Sequence, residues 1–208
     1  MKTIFITLSV ALLLSFNGFS QNLNDSCIQS LQVCSGYTYT YPLNTNTMAE
    51  SGPNYGCLYT QPNPAWYFIK VAQAGDFVFD IVSPTGNDVD FVCWGPFTDP
   101  VSPCTAQLTA ACTSCPNNTS DPNFYPSGNM VDCSYSPNPT ETLYIHNAQP
   151  NDIYILLITN YSNQTGTVYF NQSNLNQPNA GIAECNDAAT VSGQVYIDQN
   201  SNQIFDGN

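Results

Sequence analysis

The chain has 208 residues, of which 15 are Asp or Glu and only two are Lys or Arg, so its formal net charge at pH 7 is −13. Nucleic acids and anionic membrane surfaces attract proteins through Lys and Arg side chains, and this charge balance therefore argues against both as partners. Aromatic residues make up 12% of the chain, which indicates a folded domain, because disordered acidic segments are poor in them.

Residues 1–20 have the pattern of a secretory signal peptide. Lys2 is followed by an apolar stretch from Ile4 to Phe16 and then by Gly18-Phe19-Ser20, which offers small residues for cleavage. The apolar stretch is shorter than the roughly 20 residues that a bilayer core requires, so we predict no membrane span. The expected localisation is secreted or at the cell surface.

The cysteines predict a disulfide framework, because all nine follow the predicted signal peptide. They are Cys27, Cys34, Cys57, Cys93, Cys104, Cys112, Cys115, Cys133 and Cys185. The spacing of Cys112 and Cys115 would also suit zinc, but a zinc site needs a second ligand pair that the sequence does not offer. An odd count leaves at least one thiol free or bonded to another chain. Cys27 and Cys34 are predicted to form a local pair, and the other pairings stay open.

The first predicted strand is Gly36–Tyr41, where Tyr and Thr alternate as in a half-exposed strand. Residues 65–97 then contain three apolar runs separated by turn residues, which predicts three adjacent strands. In the middle run Phe77, Phe79 and Ile81 share one face, so this face should cover a core.

Residues 98–140 form an insertion with seven prolines and four cysteines, in which only residues 106–111 suit a helical turn. Strand patterns return at 142–145, 153–159 and 167–170, and the second of these is continuously apolar, as in a central strand buried on both faces. Many short strands without a long helix predict an all-β fold, a jelly-roll-like β-sandwich stapled by disulfides. Residues 173–190 are predicted to be a linker, and residues 191–208 the start of a truncated second β domain.

The strand pattern of residues 60–172 resembles the bacterial pre-peptidase C-terminal domain. The resemblance rests on Trp66-x-Phe68, Gly75-Asp-Phe-Val-Phe, Asp88-Val-Asp90-Phe-Val, Asn151–Asn160 and Gly166-Thr-Val-Tyr-Phe. It implies a jelly-roll β-sandwich of the kind appended to secreted enzymes and surface proteins. The cysteines and the 98–140 insertion depart from that family and are more like variants at the N-terminus of large surface proteins in gliding bacteria.

Residues Val191–Asp206 resemble the opening of the serine-aspartate-repeat (SdrD) B-like domain, an immunoglobulin-like repeat that holds calcium. Oxygen-bearing groups recur at alternate positions, which suits a hard cation. The predicted calcium ligands are Asp198, Asn200, Asn202, Ile204 through its carbonyl, and Asp206. Gln203 stands where an EF-hand has Gly, the twelfth loop position would be residue 209, and a polar turn is the alternative interpretation.

Two further features bear on catalysis. Asp88 and Asp90 could serve as a pair of catalytic acids, but residues two apart on a strand point the same way rather than across a substrate. A structural role in a turn is therefore predicted, with calcium binding as the main alternative. His146 is the only imidazole, and the sequence has no Gly-x-Ser-x-Gly elbow. The chain is predicted not to be an enzyme.

Tyrosines carry the prediction of ligand binding. Tyr37, Tyr39 and Tyr41 share one strand face, and rings beside Asn and Gln amides suit the faces and hydroxyls of sugars. Further tyrosines in polar or Pro-rich segments are Tyr55, Tyr59, Tyr125, Tyr135 and Tyr161. The alternative is that these rings cover the edges of the sandwich.

The predicted function is a non-catalytic module for adhesion or for recognition of a glycan or other ligand, at the N-terminus of a larger multidomain protein. The expected partners are an extracellular glycan or surface protein and the downstream domains of the same polypeptide. The alternatives are a structural spacer or capping domain, and an accessory domain of a secreted hydrolase.

Overall fold

A computed structural model describes residues 24–51, 54–109 and 128–185, and two β-sheets account for most of the regular structure there. The strands are β1 (Leu31–Val33), β2 (Thr38–Pro42), β3 (Pro64–Gln73), β4 (Gly75–Val82), β5 (Val89–Phe97), β6 (Met130–Ser134), β7 (Thr140–Ala148), β8 (Ile153–Asn160), β9 (Thr167–Gln172) and β10 (Ile182–Ala183). A 3₁₀ turn spans Cys27–Gln29, and the single helical turn α1 spans Pro103–Ala106.

The two sheets have the arrangement of a jelly roll. The first sheet runs in the order β1-β3-β8-β5-β6, with β10 also pairing with β3, and the second runs β2-β9-β4-β7. Strands β2 to β9 wrap between the sheets as an eight-stranded jelly roll does. The predicted fold class is confirmed.

The alternation read from the sequence places the core correctly. Phe77, Phe79 and Ile81 of β4 are fully buried between the sheets. All eight residues of β8 are buried, and β8 lies between β3 and β5 in the first sheet. The predicted central strand is therefore confirmed.

The prediction that the three apolar runs of residues 65–97 form adjacent strands is wrong. Strands β3 and β5 lie in the first sheet with β8 between them, whereas β4 lies in the second sheet between β9 and β7. Strands β3, β4 and β5 alternate between the two sheets of the jelly roll, and the apolar face of a strand does not reveal which strand it pairs with. Gly75 makes the crossing possible, because its φ of 151° and its close approach to the backbone of residues 179–181 exclude a side chain.

A second apolar cluster covers the outer face of the first sheet. Trp66 and Trp94 point outward and stack with ring centroids 5.9 Å apart. Tyr55, Leu58 and Leu108 from the connecting segments pack over them. The first sheet is thus buried on both faces, which explains why apolar residues predominate on both faces of β5 and β8.

Three disulfides confirm the predicted framework but not the predicted local pair. They join Cys27 to Cys104, Cys34 to Cys185 and Cys57 to Cys133. The Cys27–Cys34 pairing is wrong, because Cys27 lies in the outer cluster while Cys34 follows β1 at the edge of β3. Cys93 is a free, buried thiol. Cys112 and Cys115 lie outside the described residues.

Segments predicted to be irregular contribute to the sandwich. Residues 173–185, the first part of the predicted linker, pack along it: β10 pairs with β3, and the backbone of Asp76 bonds to Asn179 and Gly181 at 2.8 and 2.9 Å. Within the predicted insertion, β6 pairs with β5, and the helical turn lies at Pro103–Ala106 rather than at 106–111.

Several predictions fall outside the described residues. These are the signal peptide at 1–20, Tyr125, the second domain at 191–208 and its calcium ligands. In the part of the chain that the structure describes, no helix is long and apolar enough to cross a bilayer.

The disulfide assignment predicts both a peptide map and a loss of stability. Mapping without reduction should recover the three bonds above, and a Cys27–Cys34 peptide would contradict them. Replacing Cys57 and Cys133 together by Ser should lower the free energy of unfolding by about 2–5 kcal/mol, as for other native disulfides of small secreted domains. The control Cys93→Ala, which breaks no disulfide, should cost about 1 kcal/mol in the same denaturant titration.

Candidate functional site

Three exposed tyrosine rings surround a cleft at one end of the outer face of the first sheet. Tyr59, Tyr135 and Tyr161 are 75%, 42% and 56% exposed. The cleft has a volume of about 280 Å³, and we call it the tyrosine–acid cleft. Its lining residues are Leu58, Tyr59, Thr60, Asp88, Asp90, Tyr135, Pro137 and Tyr161.

The Cys57–Cys133 disulfide positions two of these rings. Tyr59 follows Cys57 by two residues, and Tyr135 follows Cys133 by two. The two rings meet edge to face with centroids 6.1 Å apart. The backbone N–H of Cys57 also donates to the Cys133 sulfur at 3.1 Å. Tyr59 and Tyr135 are therefore neighbours because a covalent bond joins segments 76 residues apart.

Asparagine side chains hold the turn that carries the third ring. Tyr161 directly follows β8, and the Asn160 side chain donates to the carbonyls of Asn44 and Gln164 at 3.0 and 2.8 Å. In the same turn the Ser162 hydroxyl accepts from the backbone N–H of Asp88 at 2.8 Å. These bonds fix Tyr161 beside the start of β5.

Asp88 and Asp90 face the cleft. Val89 and Phe91 turn into the core between the sheets, so the alternating acids turn outward. The two acids point the same way, as their spacing predicts. Asp90 is only 6% exposed. One oxygen of each carboxyl, Oδ1, is buried and has no hydrogen-bond partner in the described structure. The Thr159 hydroxyl, opposite Asp90 on β8, is likewise buried and unpartnered.

Burial disfavours the ionised forms of these acids and so raises their pKa values. Burial raises the pKa of Asp88, and burial together with the Asp88 charge raises the pKa of Asp90 to about 7. On β7, burial raises the pKa of Glu141 to about 8, with Asp90 and Asp88 adding to the rise, while the nearby Ser134 hydroxyl and Ser136 amide oppose it. Near neutral pH the three acids therefore hold fewer than three negative charges.

No basic side chain is available to neutralise the cleft. The chain has only two, Lys2 in the predicted signal peptide and Lys70. Lys70 pairs with Glu184 at 2.8 Å near the other end of β3. The acids of the cleft therefore have no cationic partner within the described residues. Those residues also contain no group of three or more His, Cys, Asp and Glu side chains arranged to hold a metal ion.

The tyrosines singled out on the first predicted strand have a different environment. Tyr37 is 61% exposed, but Tyr39 and Tyr41 are half buried and lie 5.6 Å from Phe170 and 5.0 Å from Tyr67, centroid to centroid. Burial raises the pKa of Tyr41 to about 12. Tyr39 and Tyr41 therefore contribute to the core, which matches the alternative that rings cover the sandwich.

Tyr55 and His146 do not belong to the cleft. Tyr55 is buried beside Trp66 and Trp94, and its hydroxyl donates to the Glu50 carbonyl at 2.6 Å. His146 lies at the opposite end of the sandwich, with its Nδ1 3.9 Å from Oδ1 of Asp76. The only imidazole is thus remote from the clustered acids.

Sequence reasoning identified the members of the cleft but not their association. The sequence predicts a structural role in a turn for Asp88 and Asp90, with calcium binding as the alternative, and it offers Tyr59, Tyr135 and Tyr161 as separate ring candidates for a ligand. The missing signal was the Cys57–Cys133 pairing, which brings the two segments together. Glu141, which lies near these acids but does not line the cleft, was missed because a single acid in an alternating strand has no distinguishing pattern.

Together, the fold and the cleft define an all-β, disulfide-linked sandwich with a small aromatic and acidic cleft. No family model and no curated protein match the chain. Among solved structures, it is similar to the pre-peptidase C-terminal domain of a collagenase from Bacillus anthracis. The identity is 11% and the TM-score 0.36, over 68% of this chain and 92% of that one. At this level of similarity the comparison carries no conclusion about function.

Because the buried acids have raised pKa values, we predict that the stability of the fold falls as the pH rises. A Glu has a pKa near 4.5 when unperturbed, against about 8 for Glu141 in the fold. Between these values the folded state holds more protons, so the stability from Glu141 is fully present below pH 4.5 and is lost as pH rises through 8. Glu141→Gln should thus be more stable than the wild type by about 1–3 kcal/mol at pH 8.5, because each pKa unit corresponds to about 1.4 kcal/mol.

The measurement is denaturant unfolding of both proteins at pH 4 and pH 8.5. At pH 4 the difference between Glu141→Gln and the wild type should become small. The control is Asp80→Asn on the exposed side of β4, which should not show this change with pH. A variant less stable than the wild type at pH 8.5 would contradict the burial argument.

Proposed function

We propose that the chain is a non-catalytic secreted or cell-surface module that recognises an extracellular carbohydrate in the tyrosine–acid cleft and thereby serves adhesion. One observation carries the proposal: three exposed tyrosine rings surround two carboxyl groups that have buried, unpartnered oxygens. Exposed aromatic rings of this kind are typical of surfaces that bind a ligand.

The chemistry of the cleft suits a sugar. A tyrosine face is apolar and packs on the C–H face of a pyranose, while its hydroxyl donates and accepts hydrogen bonds. The carboxyl oxygens of Asp88 and Asp90 accept bonds from sugar hydroxyls. A volume of about 280 Å³ lies near the lower end of small-molecule sites, roughly 300–1,000 Å³, so the cleft suits one or two sugar units rather than a long chain.

The cleft is also held in place before any ligand binds. The Cys57–Cys133 disulfide positions Tyr59 and Tyr135, and the Asn160 bonds position Tyr161. A preformed site loses little conformational entropy on binding, which favours affinity for a small ligand. The predicted signal peptide and the three disulfides together support an oxidising, extracellular setting.

The rings provide the direct test. On a glycan array and by calorimetry with the sugars that bind, Tyr59→Ala and Tyr135→Ala should each weaken binding about fivefold to tenfold, because each removes one stacking face. The matched control is Tyr37→Ala, a tyrosine whose 61% exposure lies between those of Tyr59 and Tyr135 and which does not line the cleft. If no sugar binds and the variants leave cell attachment unchanged, the chain is a spacer or capping domain instead.

We further propose that the 198–206 segment binds calcium through Asp198, Asn200, Asn202, the carbonyl of Ile204 and Asp206. The proposal rests on the alternating oxygen ligands and on the resemblance to the SdrD B-like repeat. Calorimetry on a version of the protein that continues past residue 208 should show calcium binding that Asp198→Ala weakens at least tenfold. If calcium produces no heat of binding and no thermal shift, the site does not exist.

A further inference from the structure

We propose that the tyrosine–acid cleft selects sugars that carry a free, protonated amino group. The ligand class is therefore an unacetylated amino sugar rather than a neutral or acidic one. This inference rests on the proposed function, because it names the kind of carbohydrate that the cleft recognises.

The charge of the cleft provides the first argument. Asp88 and Asp90 lie on the same face, and Glu141 lies close enough for their charges to raise its pKa. The only Lys or Arg of the described residues, Lys70, is already paired with Glu184, and His146 lies at the opposite end of the sandwich beside Asp76. Buried carboxylates in proteins are ordinarily paired with a cation or coordinate one, because an isolated charge is costly to bury. A cationic ligand would supply the partner that is missing among the residues the structure describes.

The unpartnered oxygens provide the second argument. Asp90 is more than nine-tenths buried, lines the cleft, and leaves its Oδ1 without a hydrogen bond. Asp88 Oδ1 and the Thr159 hydroxyl are also buried and unpartnered. An ammonium group has three N–H donors, whereas a sugar hydroxyl has one. One ammonium group could therefore donate to both Asp88 and Asp90, the two members of this cluster that line the cleft.

The rings provide the third argument and distinguish the source of the ammonium group. The face of a tyrosine attracts a cation as well as the C–H face of a sugar. Tyr59, Tyr135 and Tyr161 line one cleft together with the two acids. A sugar ring has a flat C–H face that packs on such rings, whereas the alkyl chain of a lysine has no such face. The rings would add nothing for a bare metal ion, which takes oxygen ligands. An amino sugar uses both the rings and the acids.

The test compares three oligosaccharides by calorimetry with the whole chain at pH 7. These are a tetramer of β-1,4-linked glucosamine, the same tetramer fully N-acetylated, and a tetramer of galacturonic acid. The free amine should bind at least tenfold tighter than its acetylated form, because acetylation removes the charge. The uronic acid should not bind, because its carboxylates meet those of Asp88 and Asp90.

Substitutions test whether Asp90 causes the preference for the free amine. Asp90→Asn keeps the shape of the side chain but removes its charge, and it should lower the ratio of the two affinities from at least tenfold to about twofold. Asp80→Asn, an acid on the outer face of β4, is the matched control and should leave the ratio unchanged. Tyr59→Ala should weaken binding of the free amine about fivefold, which tests the site even if Asp90→Asn does not fold.

Each alternative gives a different result. Equal or tighter binding of the acetylated tetramer overturns the amine preference and leaves the proposed function standing. If neither these oligosaccharides nor any sugar on the glycan array binds, both the proposed carbohydrate recognition and the amine preference fail. If Nα-acetyl-lysine amide binds as tightly as the glucosamine tetramer, the cleft recognises lysine in a protein instead. Calcium binding that Asp90→Asn abolishes would identify a metal site and overturn the inference.

Discussion

The structure depends on covering the outer face of the first sheet. A jelly-roll sheet has one face in the shared core, and its other face is open unless something packs on it. Here Trp66, Trp94 and the outward residues of β5 and β8 make that face apolar, so it must be covered. The covering segments contain little regular structure. The Cys27–Cys104 disulfide joins two of them, and the Cys57–Cys133 disulfide anchors another to strand β6 of the sheet. The cross-links therefore replace backbone ladders as the source of order in this layer.

The tyrosine–acid cleft lies where this cover meets the end of the sheet. The segment after Cys57 and the segment after Cys133 leave the apolar cluster at the same place, and each carries an exposed tyrosine outward. Beneath them the cover shields Asp90 from water without offering it a hydrogen bond to every oxygen. The Cys57–Cys133 disulfide thus has two roles. It holds the covering segment on the sheet, and it places Tyr59 and Tyr135 beside the acids.

The buried acids lower the stability of the fold, because the interactions within the described residues do not fully compensate for burying their charge. Burial raises the pKa of both Asp90 and Glu141, so their ionised forms oppose folding as the pH rises. Groups that reduce stability in this way are concentrated at functional sites, where a ligand supplies the missing interaction. Tyr39 and Tyr41 show the contrast, because their rings pack on Phe170 and Tyr67 and so serve the core directly.

The sequence by itself determined the all-β class, most of the strands, the core face of β4 and the double burial of β8. These properties are local, since alternation and continuous apolar runs follow from which faces of one strand are buried. Only the tertiary structure decided which strands are neighbours, which cysteines pair and which tyrosines stay exposed. Those outcomes depend on segments 76 to 151 residues apart, and no local pattern records a distant partner. Cys27 and Cys34 illustrate the reason. They are close in sequence, but Cys27 precedes β1 and packs in the outer cluster, whereas Cys34 follows β1, so each bonds to a different distant cysteine.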